Sequence, residues 1–144
     1  MNKHIHYIMP KITNSTPPLP IIRVAIPTKS DPTKKAIYLA LIDTGANLCA
    51  ISNEIIKDID VFVSGTISNE LIDGTKIDSP GYTCDMWLLD MEGNAIYSIF
   101  NKIQSSVIEM KNKPYQLIIG QNALDRLIFT YNGPTKEFCL DFSL

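Results

Sequence analysis

One stretch of this chain concentrates residues able to do chemistry. Residues 39–51 read Leu-Ala-Leu-Ile-Asp-Thr-Gly-Ala-Asn-Leu-Cys-Ala-Ile, so an apolar run leads straight into an acid, a hydroxyl residue and a glycine. The run reads as a buried strand ending at Asp43. A carboxylate at that position is costly unless hydrogen bonds or a partner charge stabilise it. Thr44 and Gly45 answer that need, because a tight turn exposes backbone N–H groups and glycine lets other backbone approach. Two readings follow. In one, Asp43 caps its own turn and nothing more. In the other, Asp43 is a reactive carboxylate held by the turn.

Other reactive residue types are sparse. Cys49, Cys84 and Cys139 are odd in number and widely spaced, which fits neither a disulfide framework nor a zinc knuckle. Their apolar and aromatic neighbours suggest buried free thiols. His4 and His6 form an i, i+2 pair in a segment expected to be a loose N-terminal tail. Two imidazoles without further spaced ligands seldom make a metal site, so no metal and no cofactor are expected. No histidine follows His6, which removes Ser-His and Cys-His hydrolase constellations from the body of the chain.

These residues must be positioned by a single domain's worth of chain. The length of 144 residues suits one core, and an apolar content of 45% argues against disorder. With 13 basic and 15 acidic residues there is no basic footprint, so nucleic acid is not an expected partner. No apolar run is long enough to cross a membrane, and no secretion segment follows Lys3, so a cytoplasmic location is expected.

Prolines at positions 10, 17, 18 and 20 predict that residues 1–20 are an extended or loosely packed arm, with residues 21–144 as the folded domain. Residues 21–26 and 36–42 predict a hairpin that presents Asp43. A short strand is expected over 48–51, then a helix over 52–59 capped by Ser52, with Ile55, Ile56 and Ile59 on its apolar side. Residues 60–63 read as a strand, and 65–79 as polar and turn-rich, with Asp73-Gly74 a tight hairpin turn. Strands are expected over 82–89, 95–100 and 105–110. Residues 117–120 repeat the apolar-strand-then-glycine pattern, residues 121–127 have helical spacing, and a hairpin closes the chain. Many short strands without βαβ alternation predict an all-β, mostly antiparallel fold with short helices.

The segment Ala40-Leu41-Ile42-Asp43-Thr44-Gly45-Ala46 resembles the active-site motif of the retropepsins, the single-domain aspartic proteases of retroviral type. Leu117-Ile118-Ile119-Gly120-Gln121-Asn122-Ala123-Leu124 resembles their second signature. The likeness runs from about Ile21 to Leu140, and the pair of motifs in this order is more specific than either alone. It implies a retropepsin-like half-barrel and an aspartic endopeptidase. Amide hydrolysis of that kind needs one carboxylate to activate water and one carboxyl to protonate the carbonyl oxygen. The chain holds one Asp-Thr-Gly. The pair therefore requires a two-fold axis, and the resemblance implies a homodimer with Asp43 from each subunit.

By matching motif positions, Asp43 is the catalytic carboxylate, Thr44 braces the two loops across the interface, and Gly45 keeps its N–H near the carboxylate. Ala46 and Asn47 line the floor, and Leu41 and Ile118 are apolar pocket walls. Gly120 packs behind the loop, and Asn122 ties the following helix to it. Residues 67–75 match the flap, with Ile67, Glu70, Leu71 and Ile72 facing substrate and Gly74 as hinge or turn. The substrate implied is a peptide or protein bound in extended form.

The sequence departs from the viral pattern at two positions. Asn47 stands where many viral enzymes have aspartate, and Gln121 where they have arginine, so a charged brace is absent as a unit and neither charge is stranded. The flap lacks a glycine-rich tip. The arm before Ile21 is additional and either covers the cleft or tethers the domain. Two other function classes stay open: a peptide- or protein-binding module with little catalysis, and a β-rich structural domain in which the motif is accidental.

Overall fold

The computed structural model describes residues 2–14 and 17–144. Its ten strands are β1 (Asn2–Ile8), β2 (Ile21–Pro27), β3 (Lys35–Ile42), β4 (Cys49–Ser52), β5 (Phe62–Glu70), β6 (Lys76–Leu89), β7 (Ile96–Ile108), β8 (Leu117–Ile119), β9 (Ile128–Asn132) and β10 (Glu137–Ser143). One short helix, α1 (Gln121–Leu124), follows β8. Helix is thus a minor component, and the chain is an all-β protein.

Six strands close into a barrel in the order β2-β3-β8-β4-β7-β6, with β6 pairing back onto β2 and β5 added outside β6. Most pairings are antiparallel; β3–β8 and β4–β7 are parallel. Closure explains β2. It carries ladder bonds on both sides, and six of its seven residues are buried, so it reads as a continuous apolar run rather than an alternating one. Val24, Ile26, Ile51, Met86, Leu88, Phe100, Ile103, Leu117 and Ile119 fill the interior with almost no exposure.

A second sheet, β1-β10-β9, packs on this core. Here the arm differs from expectation. Residues 2–8 are extended but not loose: they pair along their whole length with β10. Ile5, Tyr7 and Met9 face inward at period two. Tyr7 stacks on Phe138 at 4.9 Å and donates its hydroxyl hydrogen to Leu89 O at 2.8 Å. His4 and His6 are therefore strand residues, facing Asp141 and Glu137 on β10.

Three other expectations need correction. Residues 53–58 form consecutive turns rather than a helix, with bonds from Ile55 N to Ser52 O and Asp58 N to Ile55 O. Eight residues with adjacent β-branched isoleucines are too few to sustain α-helical nucleation. Ser52 still acts locally, accepting from Glu54 N at 3.2 Å, and Ile55 and Ile59 are buried. The polar stretch 65–79 is mostly strand, with turns confined to its tip. Residues 96–108 are one strand with an irregularity near Lys102, whose φ is +51° and whose N–H bonds the Asp85 carboxylate at 2.8 Å. Of the cysteines, Cys49 and Cys84 are buried and Cys139 is half-buried, all as free thiols.

Candidate active site

The topology around Asp43 follows from one insertion. β8 lies between β3 and β4, so the connection from Asp43 to Leu48 must arch over the end of β8. That end is Gly120. A Cβ there would stand 2.4 Å from Leu48 O and 2.9 Å from Ala46 O, a collision with backbone that no side-chain movement relieves. Only glycine fits this crossing.

The arch is held from below by hydrogen bonds. Asp43 N donates to Ile119 O at 3.0 Å, Gln121 N to Ala46 O at 2.8 Å and Asn122 N to Asn47 O at 3.2 Å. The first N–H groups of α1, which a helix start leaves without internal partners, are thus satisfied by loop carbonyls. Side chains complete the seam. Asn122 Oδ1 accepts from Cys49 N at 2.9 Å and its Nδ2 donates to Gln104 O at 2.8 Å. Gln121 Nε2 donates to Thr44 O at 2.8 Å. Gly120 N donates to Cys49 Sγ at 3.3 Å. Burial pushes the Cys49 thiol up from 9.0 to about 11, despite that bond.

Asp43 itself is half-buried. Gly45 N donates to its Oδ1 at 2.9 Å, and Ala46 N bonds its carbonyl at 3.2 Å. The first bond is an Asx-type turn, a geometry required equally by a self-capping aspartate and by a held reactive one. Among the described residues no ion pair involves Asp43, and nothing hydrogen-bonds the exposed Thr44 hydroxyl. The carboxylate's second oxygen and the threonine hydroxyl remain available to an outside group.

A cleft of about 720 Å³ opens beside the arch. Of the residues singled out from sequence, Ala46, Asn47, Ile67, Glu70, Leu71, Ile72 and Ile118 line it. Asp43, Thr44 and Gly45 precede its first lining residue, and Leu41 and Gly74 are not in its wall. Leu41 is half-buried, flanked in register by Ile21 and Ile118. Gly74 takes φ +86° in the β5–β6 turn, where Leu71 N bonds Thr75 O at 2.7 Å and Gly74 N bonds Leu71 O at 2.9 Å. Asp73 accepts from Thr75 N at 2.9 Å, and the Thr75 backbone and hydroxyl hold its carboxyl below the ordinary range.

Ser68 and Asn69, inside the flap segment 67–75 but not singled out, also line the cleft, as do Leu48, Ala50, Ser106 and Ile108, which sequence reasoning missed. Ser106 and Ile108 alternate on β7 within the strand expected over 105–110, and they reach the cleft through the parallel pairing of β7 with β4, which no local signal shows. By contrast, β5 and its turn contribute six consecutive residues, Ile67 to Ile72. Side chains alternate between the faces of a strand, so a run of consecutive lining residues borders the cleft with backbone as well as side chains. β5 is the terminal strand of its sheet, so its outer edge has no strand partner among the described residues.

Among the described residues, no group of three or more His, Cys, Asp and Glu converges as metal ligands would. No helix among the described residues is long and apolar enough to cross a membrane. No protein-family model matches this sequence, and no curated protein is significantly similar to it.

Proposed function

We propose that this chain is a retropepsin-like aspartic endopeptidase, acting as a homodimer in which Asp43 of each copy supplies one carboxyl group. The observation that carries the reading is the clamped Asp43-Thr44-Gly45 arch over Gly120, beside a cleft bordered by an unpaired strand edge. Such an edge suits an extended peptide, which adds to it as a strand through backbone hydrogen bonds. The arch suits a reactive carboxylate, because catalytic groups need positions fixed by packing and hydrogen bonds rather than by mobile loops.

The chemistry is acid–base. Two carboxyls close together share one proton, because both cannot ionise cheaply. The ionised member takes a proton from water, which attacks the peptide carbonyl. The protonated member gives its proton to the carbonyl oxygen. The first carboxyl then passes the proton it took from water to the amide nitrogen, and collapse of the tetrahedral intermediate expels the neutral amine while a diol hydroxyl returns its proton to the second carboxylate. Thr44, with its hydroxyl free within one chain, is placed by this reading at the contact between the two loops. Gln121, neutral where viral retropepsins carry arginine, braces the arch by donating its side-chain amide to Thr44 O, and the Asn47 backbone carbonyl accepts from Asn122 N.

The test is cleavage of a mixed peptide library by wild type and by Asp43→Asn at several pH values. Wild type is expected to cleave in an acidic window without added metal. The variant is expected to lose roughly a hundred- to ten-thousandfold in rate. Activity that survives the substitution contradicts the assignment. A second reading, a peptide-binding module, is favoured by one observation: a single chain carries a cleft and a free β5 edge but only one Asp-Thr-Gly. Asp43-independent peptide binding without any cleavage selects it.

A further inference from the structure

Among the described residues, one charged residue, Glu70, borders the cleft. Its thirteen lining residues include apolar Ala46, Ala50, Ile67, Leu71, Ile108 and Ile118, several polar neutral ones, and Glu70. Glu70 ends β5, immediately before the turn, and is exposed. The strand rise of about 3.3 Å per residue puts it roughly 10 Å along β5 from Ile67. Lys76 stands opposite it in the hairpin register, and among the described residues the two form no ion pair. The Glu70 carboxylate is therefore not held in an ion pair, and Lys76 across the hairpin offsets its charge only in part.

We infer that Glu70 is a specificity-determining residue, and that the cleft takes peptides carrying a lysine or arginine within about three residues of the apolar side chain that packs at Ile67. This rests on the peptide-cleft reading and narrows its substrate class. The occupant follows from charge complementarity: apolar walls accept apolar side chains, and the single carboxylate accepts a cation while repelling an acidic residue. Because Glu70 is solvent-exposed, the preference is modest and falls with salt.

The experiment measures binding separately from turnover. Short fluorescein-labelled peptides with a Leu-Leu core and one variable flanking residue (Lys, Gln or Glu) are titrated into Asp43→Asn protein, with fluorescence anisotropy as the readout. At low salt the Lys peptide is expected to bind roughly two- to fivefold more tightly than the Gln peptide. The Glu peptide is expected to bind most weakly. Glu70→Gln should erase the ranking, Glu70→Lys should invert it, and Lys76→Gln should widen it. High salt should compress it in every variant that has one. The same ranking in Glu70→Gln, no ranking in the parent protein, or no binding of any peptide overturns the inference. Cleavage by wild type separates the two claims. Cleavage without the ranking sinks the role of Glu70 alone, whereas the ranking without cleavage sinks the peptidase and leaves Glu70 in place.

Discussion

The two sides of the cleft are built in opposite ways. On one side, the arch from Asp43 to Leu48 is threaded over β8 so tightly that Gly120 has no room for a methyl group, and its carbonyls are consumed by the start of α1. On the other, the β5–β6 hairpin projects with Leu71 half-exposed and Ile72 fully exposed, and its Gly74 has open space around it. Both sides turn on a glycine next to an aspartate-bearing loop, yet the glycines answer different constraints. Gly120 is required by crowding at an ordinary backbone conformation, with φ −95°. Gly74 is required by a left-handed backbone, with φ +86°, and by nothing it touches. The arrangement separates precision from access: the residues that would do chemistry sit on the crowded side, and those that would admit a peptide sit on the open one.

The same substitution at the two glycines measures that contrast, and it carries the largest expected effect on stability. Gly120→Ala must displace the backbone of Ala46 and Leu48, and is expected to cost about 3 kcal/mol and to abolish cleavage. Gly74→Ala meets only its own backbone strain, and is expected to cost about 1 kcal/mol with cleavage retained. Urea denaturation of both variants decides it. Equal costs would erase the distinction between a crowded floor and an open tip.

The buried thiols give the contrast a pH signature. Burial raises Cys49 from 9.0 to about 11, and raises Cys84 to about 12. A raised thiol pKa means that the folded state holds its proton when the unfolded chain has lost it. Stability from this source is complete below pH 9 and is lost as pH rises towards 11. The slope is expected to approach about 1.4 kcal/mol per pH unit for each thiol in that window. Cys84→Ala should flatten it, as read from urea midpoints at pH 9 and pH 11. An unchanged slope in that variant would show that the thiol does not contribute. Asp73, on the exposed tip, has a depressed pKa and offers no comparable alkaline loss.

The smallest expected effect belongs to the tip. Ile72 is fully exposed, so Ile72→Ser should alter stability by less than about 0.5 kcal/mol. If the tip closes over peptide, the same change should raise KM while kcat stays near wild type. A large stability loss would mean that Ile72 is packed rather than free.

How much of this was legible in the sequence depends on how local the cause is. The β2–β3 hairpin, the Asp73-Gly74 turn and the closing hairpin follow from short-range signals, and all are present. β1 was obscured because its partner is β10, at the far end of the chain, and because four prolines follow it. Its alternation of His4, Ile5, His6 and Tyr7 is the period-two signal that would have revealed it. The polar strands around the β5–β6 tip looked like turns because an exposed hairpin needs no apolar face. At the arch, the sequence marks both ends of the seam, Asp43-Thr44-Gly45 and Gly120. That β8 slips between β3 and β4 to stack them is a long-range fact of topology. The cleft residues on β7 were missed for the same reason, since they enter through a parallel pairing with β4.

The central claim is that one Asp43 is half of a site. A mixing experiment tests it most directly: a fixed amount of wild type is equilibrated with increasing Asp43→Asn protein before peptide is added. If each active unit needs an intact Asp43 from two copies, the inactive subunits should capture wild-type subunits in dead heterodimers. Activity should then fall towards zero as the variant is added in excess. Activity that depends on Asp43 yet stays constant across the titration would contradict the shared site.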